Sequence, residues 1–194
     1  MEVLLIRHGK TKGNLESRYV GRTDEPILQN SIEELSEKDY GGFRPDLVYS
    51  SRMLRCVQTA ESIFSDEKIC IWNGFEETDF GEFEYKNYEE LNGHPAYQAW
   101  IDSGGRLKFP GGESGVDFRK RCCAAFLSCI KDAKEKNAEK MAVVVHGGTI
   151  MSIMEAFGKP RKDFYDWQPK NGGGFLTKLC DTEEGICLQL LDII

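Results

Sequence analysis

The chain has 194 residues, enough for one domain with a substantial hydrophobic core. Hydrophobic residues make up 40% of the chain and charged residues 29%, a balance that excludes an intrinsically disordered protein. The formal net charge of −7 argues against general binding to nucleic acid or to an anionic membrane, so we expect neither partner. An anionic substrate would therefore need a local concentration of positive charge.

Short apolar runs predict strands at residues 3–6, 46–49, 70–72, 141–145, 175–180 and 186–191. Turn residues at 182–185 separate the last two runs and predict a closing hairpin. Between the runs, apolar residues spaced three and four apart predict helices at 31–37, 51–64, 113–136 and 149–157. Ser114 is expected to cap the third of these helices.

This alternation of strands and helices predicts one α/β domain over residues 1–194. We expect a three-layer sandwich, with a mostly parallel central sheet and helices on both faces. Residues 74–112, called here the cover segment, break the alternation and are rich in aromatic residues, acidic residues and glycine. We expect this segment to cover the active site at one end of the sheet.

Two of the predicted strands end in a histidine followed by a glycine. Arg7, His8 and Gly9 follow the first run, and His146 and Gly147 follow the run at 141–145. Ligands of open α/β sheets bind at the carboxyl ends of the strands, so we expect both histidines in one site. A helix start is predicted after each histidine, and its free N–H groups and partial positive charge suit an anion.

The charged residues near these strand ends fit a phosphate ester. Arg7 offers a donor fork matched to phosphate oxygens, and Arg55, from the helix at 51–64, offers a second. Neutral imidazole can act as a nucleophile, and a general acid must then protonate the leaving alkoxide. The residues alone leave several candidates for this acid, all in the cover segment: Glu76, Glu77, Asp79, Glu82 and Glu84.

Further motifs follow in a fixed order: Arg7-His8-Gly9 with Asn14, then residues 21–26, 50–60, 77–84, 110–114 and 145–148. This set resembles the histidine phosphatase superfamily, also called the phosphoglycerate mutase-like family, and it covers nearly the whole chain. The resemblance implies the fold of that family. It also implies a reaction without metal or cofactor, in which a phosphoryl group passes to a histidine and then to water.

The resemblance implies a role for each matched residue. His8 would be the phosphorylated nucleophile and Glu77 the proton donor to the leaving group. Arg7, Arg55 and His146 would complete the catalytic set by holding the phosphoryl oxygens, and Asn14, Thr23 and Gly147 would add phosphate contacts. The family's register favours Arg55 over Arg52, which we expect to be solvated or structural.

Three positions depart from the family's pattern. Lys10 stands where an acidic residue or glutamine is usual, and Tyr85 stands where a glycine is usual. The helix after Pro26 also matches poorly around residues 29–32. None of these departures removes a catalytic group, so they concern substrate preference more than chemistry.

The predicted substrate is a small-molecule phosphate monoester. Among compact members of the family, the length and residues 110–114 look most like α-ribazole phosphatases of cobalamin assembly, with broad-specificity sugar-phosphate phosphatases nearly as similar. A phosphoglycerate mutase is the alternative within the family, although mutases of that kind carry extra sequence in the cover region. Two hypotheses lie outside this chemistry. One is a zinc site formed by His8, His146 and Glu77, which no H-x-x-x-H spacing supports, and the other is a non-catalytic binding module.

Cysteine content and the N-terminal run bear on the compartment. The chain has seven cysteines, an odd number without a C-x-x-C pair, which is typical of a reducing environment. The apolar run at residues 3–6 is too short for a signal peptide. We therefore expect a cytoplasmic protein, and a homodimer stays open. His94, which precedes Pro95 in a predicted loop, is expected at the surface.

Overall fold

The computed structural model describes residues 1–183 and 185–194, and in them the chain forms seven strands and six α-helices. The strands are β1 (Glu2–Arg7), β2 (Leu47–Ser50), β3 (Ile69–Ile71), β4 (Lys140–Val145), β5 (Gly158–Lys159), β6 (Gly174–Thr182) and β7 (Gly185–Ile193). The helices are α1 (Lys12–Leu15), α2 (Gln29–Glu37), α3 (Leu54–Ile63), α4 (Pro95–Asp102), α5 (Gly115–Glu135) and α6 (Gly147–Phe157). Two 3₁₀ turns lie at Gly81–Phe83 and Phe164–Trp167.

The strands form a single sheet in the order β3-β2-β4-β1-β6-β7-β5. The pairs β1–β4, β2–β4, β2–β3 and β5–β7 are parallel, whereas β6 runs antiparallel to β1 and to β7. The prediction of a mostly parallel sheet is therefore confirmed, and a strand stands at each of the predicted runs. The predicted hairpin is formed by β6 and β7, and Glu184 of its turn lies outside the described residues.

Alternate side chains of β1 pack on opposite faces of the sheet. Val3 and Leu5 belong to an apolar cluster with side chains of α5 and α6. Leu4 and Ile6 belong to a second cluster with side chains of α3. These four side chains are fully buried, and each contributes roughly 1.5–3 kcal/mol through burial of apolar surface. Two covered faces give the three layers that the sequence predicts.

The predicted helices are present, with ends displaced by up to three residues. The helix α6 begins at Gly147, two residues earlier than predicted, and α3 begins at Leu54, three residues later. Ser114 caps α5 as expected, since its hydroxyl accepts a hydrogen bond from the amide of Asp117 at 3.1 Å. None of the described helices is long and apolar enough to cross a membrane.

The cover segment has its own small apolar cluster, separate from the two clusters of the sheet. Buried Phe83, Leu91 and Phe109 form its centre, and residues of α4 pack against them. Our expectation for His94 was wrong, because its ring is half-buried and packs edge-on against Phe83 with the ring centroids 5.6 Å apart. The apolar side of α4 thus packs onto residues of the same segment and onto Tyr19.

Candidate active site

His8 follows β1 directly and is almost completely buried. Its Nδ1 lies 2.7 Å from the carbonyl oxygen of Gly9, which can only accept a hydrogen bond. This contact assigns the ring proton to Nδ1 and leaves the lone pair on Nε2. The backbone is fixed as well, because the amide of Gly9 donates to Thr59 Oγ1 at 2.8 Å and Asn171 Nδ2 donates to the carbonyl of His8 at 3.1 Å.

His146 ends the second histidine strand, where it is the N-cap residue of α6. Its ring packs edge-on against that of His8, with centroids 5.3 Å apart. Burial holds the pKa of both histidines well below the ordinary value of 6.5, and the nearby charges of Arg55 and Arg7 lower the pKa of each further. Both rings are therefore neutral at neutral pH, the form in which an imidazole can act as a nucleophile.

Arg55 lies in the first turn of α3 and is fully buried. Its guanidinium donates to the carbonyl oxygens of Gly21 and Thr23, each at 2.8 Å. Its Nε donates to Nδ1 of His146 at 3.3 Å, and Nε2 of His146 lies 3.0 Å from Ser51 Oγ. Arg55 thus joins the loop before α2 to the second histidine.

Thr23 contacts Arg55 and Glu84 through its main-chain atoms. Its carbonyl accepts from Arg55, and its amide donates to Oε1 of Glu84 at 2.9 Å. The same carboxylate oxygen accepts from the amide of Gly21 at 2.9 Å. Glu84, one of the five candidate acids, therefore fixes the loop whose carbonyls orient Arg55.

Arg7 presents an unpaired donor inside the protein. One end of its guanidinium donates to the carbonyl of Pro169 at 2.9 Å, whereas its buried Nε has no hydrogen-bond partner among the described residues. Burial lowers the pKa of Arg7, and Glu77 opposes that shift. A buried N–H without a partner costs free energy, which an anion accepting from it would recover.

Glu77 lies against the N-terminus of α6. Its Oε2 accepts from the amide of Gly148 at 3.0 Å, and its Oε1 accepts from the amide of Thr78 at 2.8 Å. A Cβ at position 148 would lie only 2.5 Å from Oε1 of Glu77, so this close approach requires the glycine. The second glycine after His146 therefore allows the carboxylate to reach the helix end.

A cavity of about 310 Å³ brings together the predicted site residues that face solvent-accessible space, namely Arg7, His8, Asn14, Glu77 and Gly147. Arg55 and His146 are fully buried and contact this group from inside the protein. Asn14 is held by its Oδ1, which accepts from the amide of Thr11 at 3.2 Å and from Asn171 Nδ2 at 3.0 Å.

Sequence reasoning missed three residues that fix the site. Thr59 and Asn171 hold the backbone at His8 and Gly9, and Ser51 contacts the ring of His146. Asn171 lies 163 residues from His8 along the chain, and only its position beside a glycine, typical of a turn, marks it in the sequence. Ser51 and Thr59 lie within the motif at residues 50–60, but the pattern predicts no contact for either of them.

The two positions that depart from the family's pattern, Lys10 and Tyr85, lie in different surroundings. Lys10 is exposed and lines a separate cavity with Arg7 and Lys170. Tyr85 has a left-handed backbone with φ of 58°, a conformation that glycine adopts without strain. Its hydroxyl donates to Oε2 of Glu25 at 3.0 Å, and its carbonyl accepts from Arg18 at 2.6 Å.

The zinc hypothesis finds no geometric support. Within residues 1–183 and 185–194, no group of three His, Cys, Asp or Glu side chains is arranged to hold a metal ion. Both oxygens of Glu77 instead accept main-chain hydrogen bonds, and Nδ1 of His146 faces a guanidinium.

The family assignment follows from comparison with known sequences and structures. Residues 3–189 match the model of the histidine phosphatase superfamily, branch 1, so the chain belongs to this superfamily. Adenosylcobalamin/alpha-ribazole phosphatase of Escherichia coli is 26% identical over 179 residues, which cover 89% of this chain and 87% of that protein.

Two further relatives differ in the activity that their names state. The 2,3-bisphosphoglycerate-dependent phosphoglycerate mutase of Rhizobium etli is 25% identical over 164 residues, which cover 79% of this chain and 78% of that protein. A crystal structure of a histidine-to-alanine mutant of phosphoserine phosphatase from Entamoeba histolytica, in complex with phosphoserine, superposes with a TM-score of 0.77. That match has 25% identity and covers 99% of this chain and 95% of the other.

Proposed function

We propose that this protein hydrolyses phosphate monoesters of small molecules through a phosphohistidine formed on His8. One observation carries the proposal. A neutral histidine, with its Nδ1 directed to Gly9, shares a cavity with the carboxyl group of Glu77 and with an arginine whose buried Nε has no partner among the described residues. These groups are the nucleophile, the acid and the phosphate ligand that such a reaction requires.

In the first step, the lone pair on Nε2 of His8 attacks phosphorus. The bond between phosphorus and the ester oxygen breaks, and the departing oxygen takes a proton from the protonated carboxyl of Glu77. The alcohol leaves, Glu77 is left as a carboxylate, and the phosphoryl group is bonded to Nε2. The carbonyl of Gly9 stabilises the positive charge that develops on the ring, because it accepts a hydrogen bond from the Nδ1–H group.

In the second step, water attacks the phosphohistidine. The carboxylate of Glu77 accepts a proton from this water, the bond between Nε2 and phosphorus breaks, and its electrons return to His8. Inorganic phosphate leaves, and both side chains are restored. During both steps, Arg7 would donate to the phosphoryl oxygens. Arg55 and His146 would join it by exchanging hydrogen bonds that they now make to Thr23 and to Ser51.

The thiol of Cys56 is the competing nucleophile nearest to this chemistry. Its Sγ lies 3.6 Å from Nε2 of His146 in the buried part of the site. Burial raises the pKa of this thiol above its ordinary value, so it remains protonated and unreactive. This difference favours His8 as the phosphorylated residue.

For the natural substrate, the first candidate is α-ribazole 5′-phosphate. The Escherichia coli relative whose name states that activity supports it, together with the compact length that the two chains share. Sugar phosphates, phosphoserine and 3-phosphoglycerate are the alternatives to compare with it. We propose that the cover segment sets the choice among them, since Phe80, Trp100 and Phe109 line the cavity.

Hydrolysis of p-nitrophenyl phosphate in excess EDTA tests the proposal. Wild type should turn over in the chelator, His8→Ala should lose turnover, and His94→Gln, which replaces a histidine outside the cavity, should retain it. Activity that depends on an added divalent metal ion would contradict the metal-free mechanism, and an active His8→Ala would contradict the role of His8.

A further inference from the structure

The cavity above His8 has two chemically different parts. Arg7, His8 and Glu77 form its polar end, where the proposed reaction takes place. Six aromatic side chains of the remaining lining, called here the aromatic wall, are Phe80, Trp100, Phe109, Phe118, Phe164 and Tyr165. Tyr19 and the polar side chains of Arg18, Thr78, Arg119 and Gln168 line the cavity beside them. The six side chains of the wall come from the cover segment, from α5 and from the 3₁₀ turn Phe164–Trp167. With the phosphoryl group at the polar end, the aromatic wall faces the leaving group.

We infer that the aromatic wall selects esters whose leaving group has a flat, apolar and uncharged body, and disfavours leaving groups that carry a carboxylate. The inference rests on the proposed function, because it assumes that phosphorus lies against His8. Aromatic side chains bury flat apolar surface in stacked or edge-on contacts. A cavity of about 310 Å³ has the size of a pocket for one small molecule.

The cations near the aromatic wall already have carboxylate partners. Arg18 lies 2.7 Å from an oxygen of Glu90, and Arg119 lies 3.0 Å from an oxygen of Glu155. The guanidinium of Arg119 also packs over the ring of Phe164, at 4.3 Å from its centroid. A leaving group with its own carboxylate would have to share one of these guanidinium groups with a carboxylate that is already bound, which makes phosphoserine and 3-phosphoglycerate poorer matches to this wall than an uncharged leaving group.

Three alkyl esters with chemically similar departing oxygens test this selection: 2-phenylethyl phosphate, ethyl phosphate and O-phosphoserine. We expect kcat/KM for the phenylethyl ester to exceed both others by about tenfold or more, the scale on which apolar pockets discriminate. Equal values for the three esters, or a preference for O-phosphoserine, would overturn the inference.

Variants with a matched control locate the effect. Tyr165 and Tyr88 are similarly exposed, at 62% and 60%, but only the first lines the cavity. Tyr165→Ala and Trp100→Leu should lower the ratio of kcat/KM for phenylethyl over ethyl phosphate by about threefold or more. Tyr88→Ala should leave this ratio unchanged. Wall variants with the wild-type ratio would show that the wall does not contact the leaving group.

The opposite possibility is that the cavity prefers a leaving group with a carboxylate, and the variant Arg119→Gln tests it. If Arg119 leaves Glu155 to bind a carboxylate of the substrate, Arg119→Gln will selectively lower hydrolysis of O-phosphoserine, and the inference fails.

Failure of the inference can be distinguished from failure of the proposed function. If no ester is hydrolysed, calorimetry with 3-phenylpropylphosphonate and propylphosphonate still tests the wall, which should favour the phenyl compound by about tenfold. Equal binding of the two phosphonates would overturn the inference.

Discussion

Arg55 donates its Nε–H to Nδ1 of His146 across 3.3 Å, inside the protein and without exposure to solvent. This hydrogen bond assigns the imidazole proton to Nε2, which lies 3.0 Å from Ser51 Oγ. The orientation of the second histidine therefore depends on a guanidinium that the carbonyls of Gly21 and Thr23 hold in place.

Replacing Arg55 by lysine should be costly despite the retained charge. An ammonium cannot reproduce the planar fork, so it would leave buried carbonyl oxygens and Nδ1 of His146 without donors. We expect the free energy of unfolding to fall by about 2–4 kcal/mol, with loss of most activity. Urea denaturation and p-nitrophenyl phosphate hydrolysis measure the two effects. Arg52→Lys, an exposed change three residues earlier, should stay within about 0.5 kcal/mol, and an equal effect of the two changes would refute this account.

The depressed pKa of His8 and His146 predicts how stability depends on pH. Below pH 6.5 the unfolded chain protonates both imidazoles, whereas the folded protein keeps them neutral. The unfolded state then binds more protons, so stability is full above the ordinary histidine pKa and falls as pH decreases below it. Each histidine should contribute a slope of up to about 1.4 kcal/mol per pH unit in this range.

Urea unfolding of wild type and His8→Asn at pH 7.5 and 5.5 measures this contribution. The difference between the two pH values should be smaller in the variant, because one of the neutral buried imidazoles is absent. Activity should also persist below pH 6.5, since His8 stays unprotonated there. The same pH dependence in both proteins would mean that His8 is not the neutral, buried group described here.

The proposed role of Glu77 as proton donor predicts an effect that depends on the leaving group. Glu77→Gln retains an oxygen that can accept from the amide of Gly148, but its carboxamide has no acidic proton to transfer to the leaving group. We expect kcat to fall by about 10²–10⁴ for ethyl phosphate and much less for p-nitrophenyl phosphate, whose phenolate leaves without protonation. The neighbouring change Glu76→Gln should affect both esters little. A uniform loss with both esters in Glu77→Gln would contradict a proton-donor role.

The positive φ of Tyr85 predicts an inverted order of stability between alanine and glycine. Tyr85→Ala loses the contacts of the ring and keeps the left-handed strain, whereas Tyr85→Gly loses the same contacts and releases the strain. The glycine variant should therefore be more stable than the alanine variant by about 1 kcal/mol. At Tyr88, which has no positive φ, alanine should be the more stable of the two. Thermal unfolding of the four variants measures both orders of stability. If Tyr85→Ala is more stable than Tyr85→Gly, the result will contradict the left-handed backbone described at this position.

The parts of the fold that the sequence predicts are those with a strong local pattern. The strand run at residues 141–145 and the seven buried positions of α5 show the expected periods, and both elements stand where predicted. The helix α4 has only eight residues, none of them buried, and it packs against the cover segment and Tyr19, so the sequence offers too few turns to identify it. The strand β5 has two residues and exists because β7 pairs with it.

For the candidate site, the sequence predicts the residues better than their contacts. Histidines at strand ends are visible in the sequence, because their positions follow from the strands themselves. The hydrogen bond from Arg55 to the carbonyl of Thr23 cannot be predicted in this way, because every residue has a main-chain carbonyl. Asn171 reaches His8 only through the return of the chain beside β1, a long-range packing result.

Trapping the phosphoenzyme tests the central claim most directly. Wild type mixed with a ³²P-labelled ester and quenched within milliseconds should carry label that is lost in acid and retained in alkali, as a phosphoramidate requires. Peptide mapping under alkaline conditions should place this label on His8, and His8→Ala should carry none. A wild-type label that survives acid or maps to another residue, or an equal label on His8→Ala, would contradict the account.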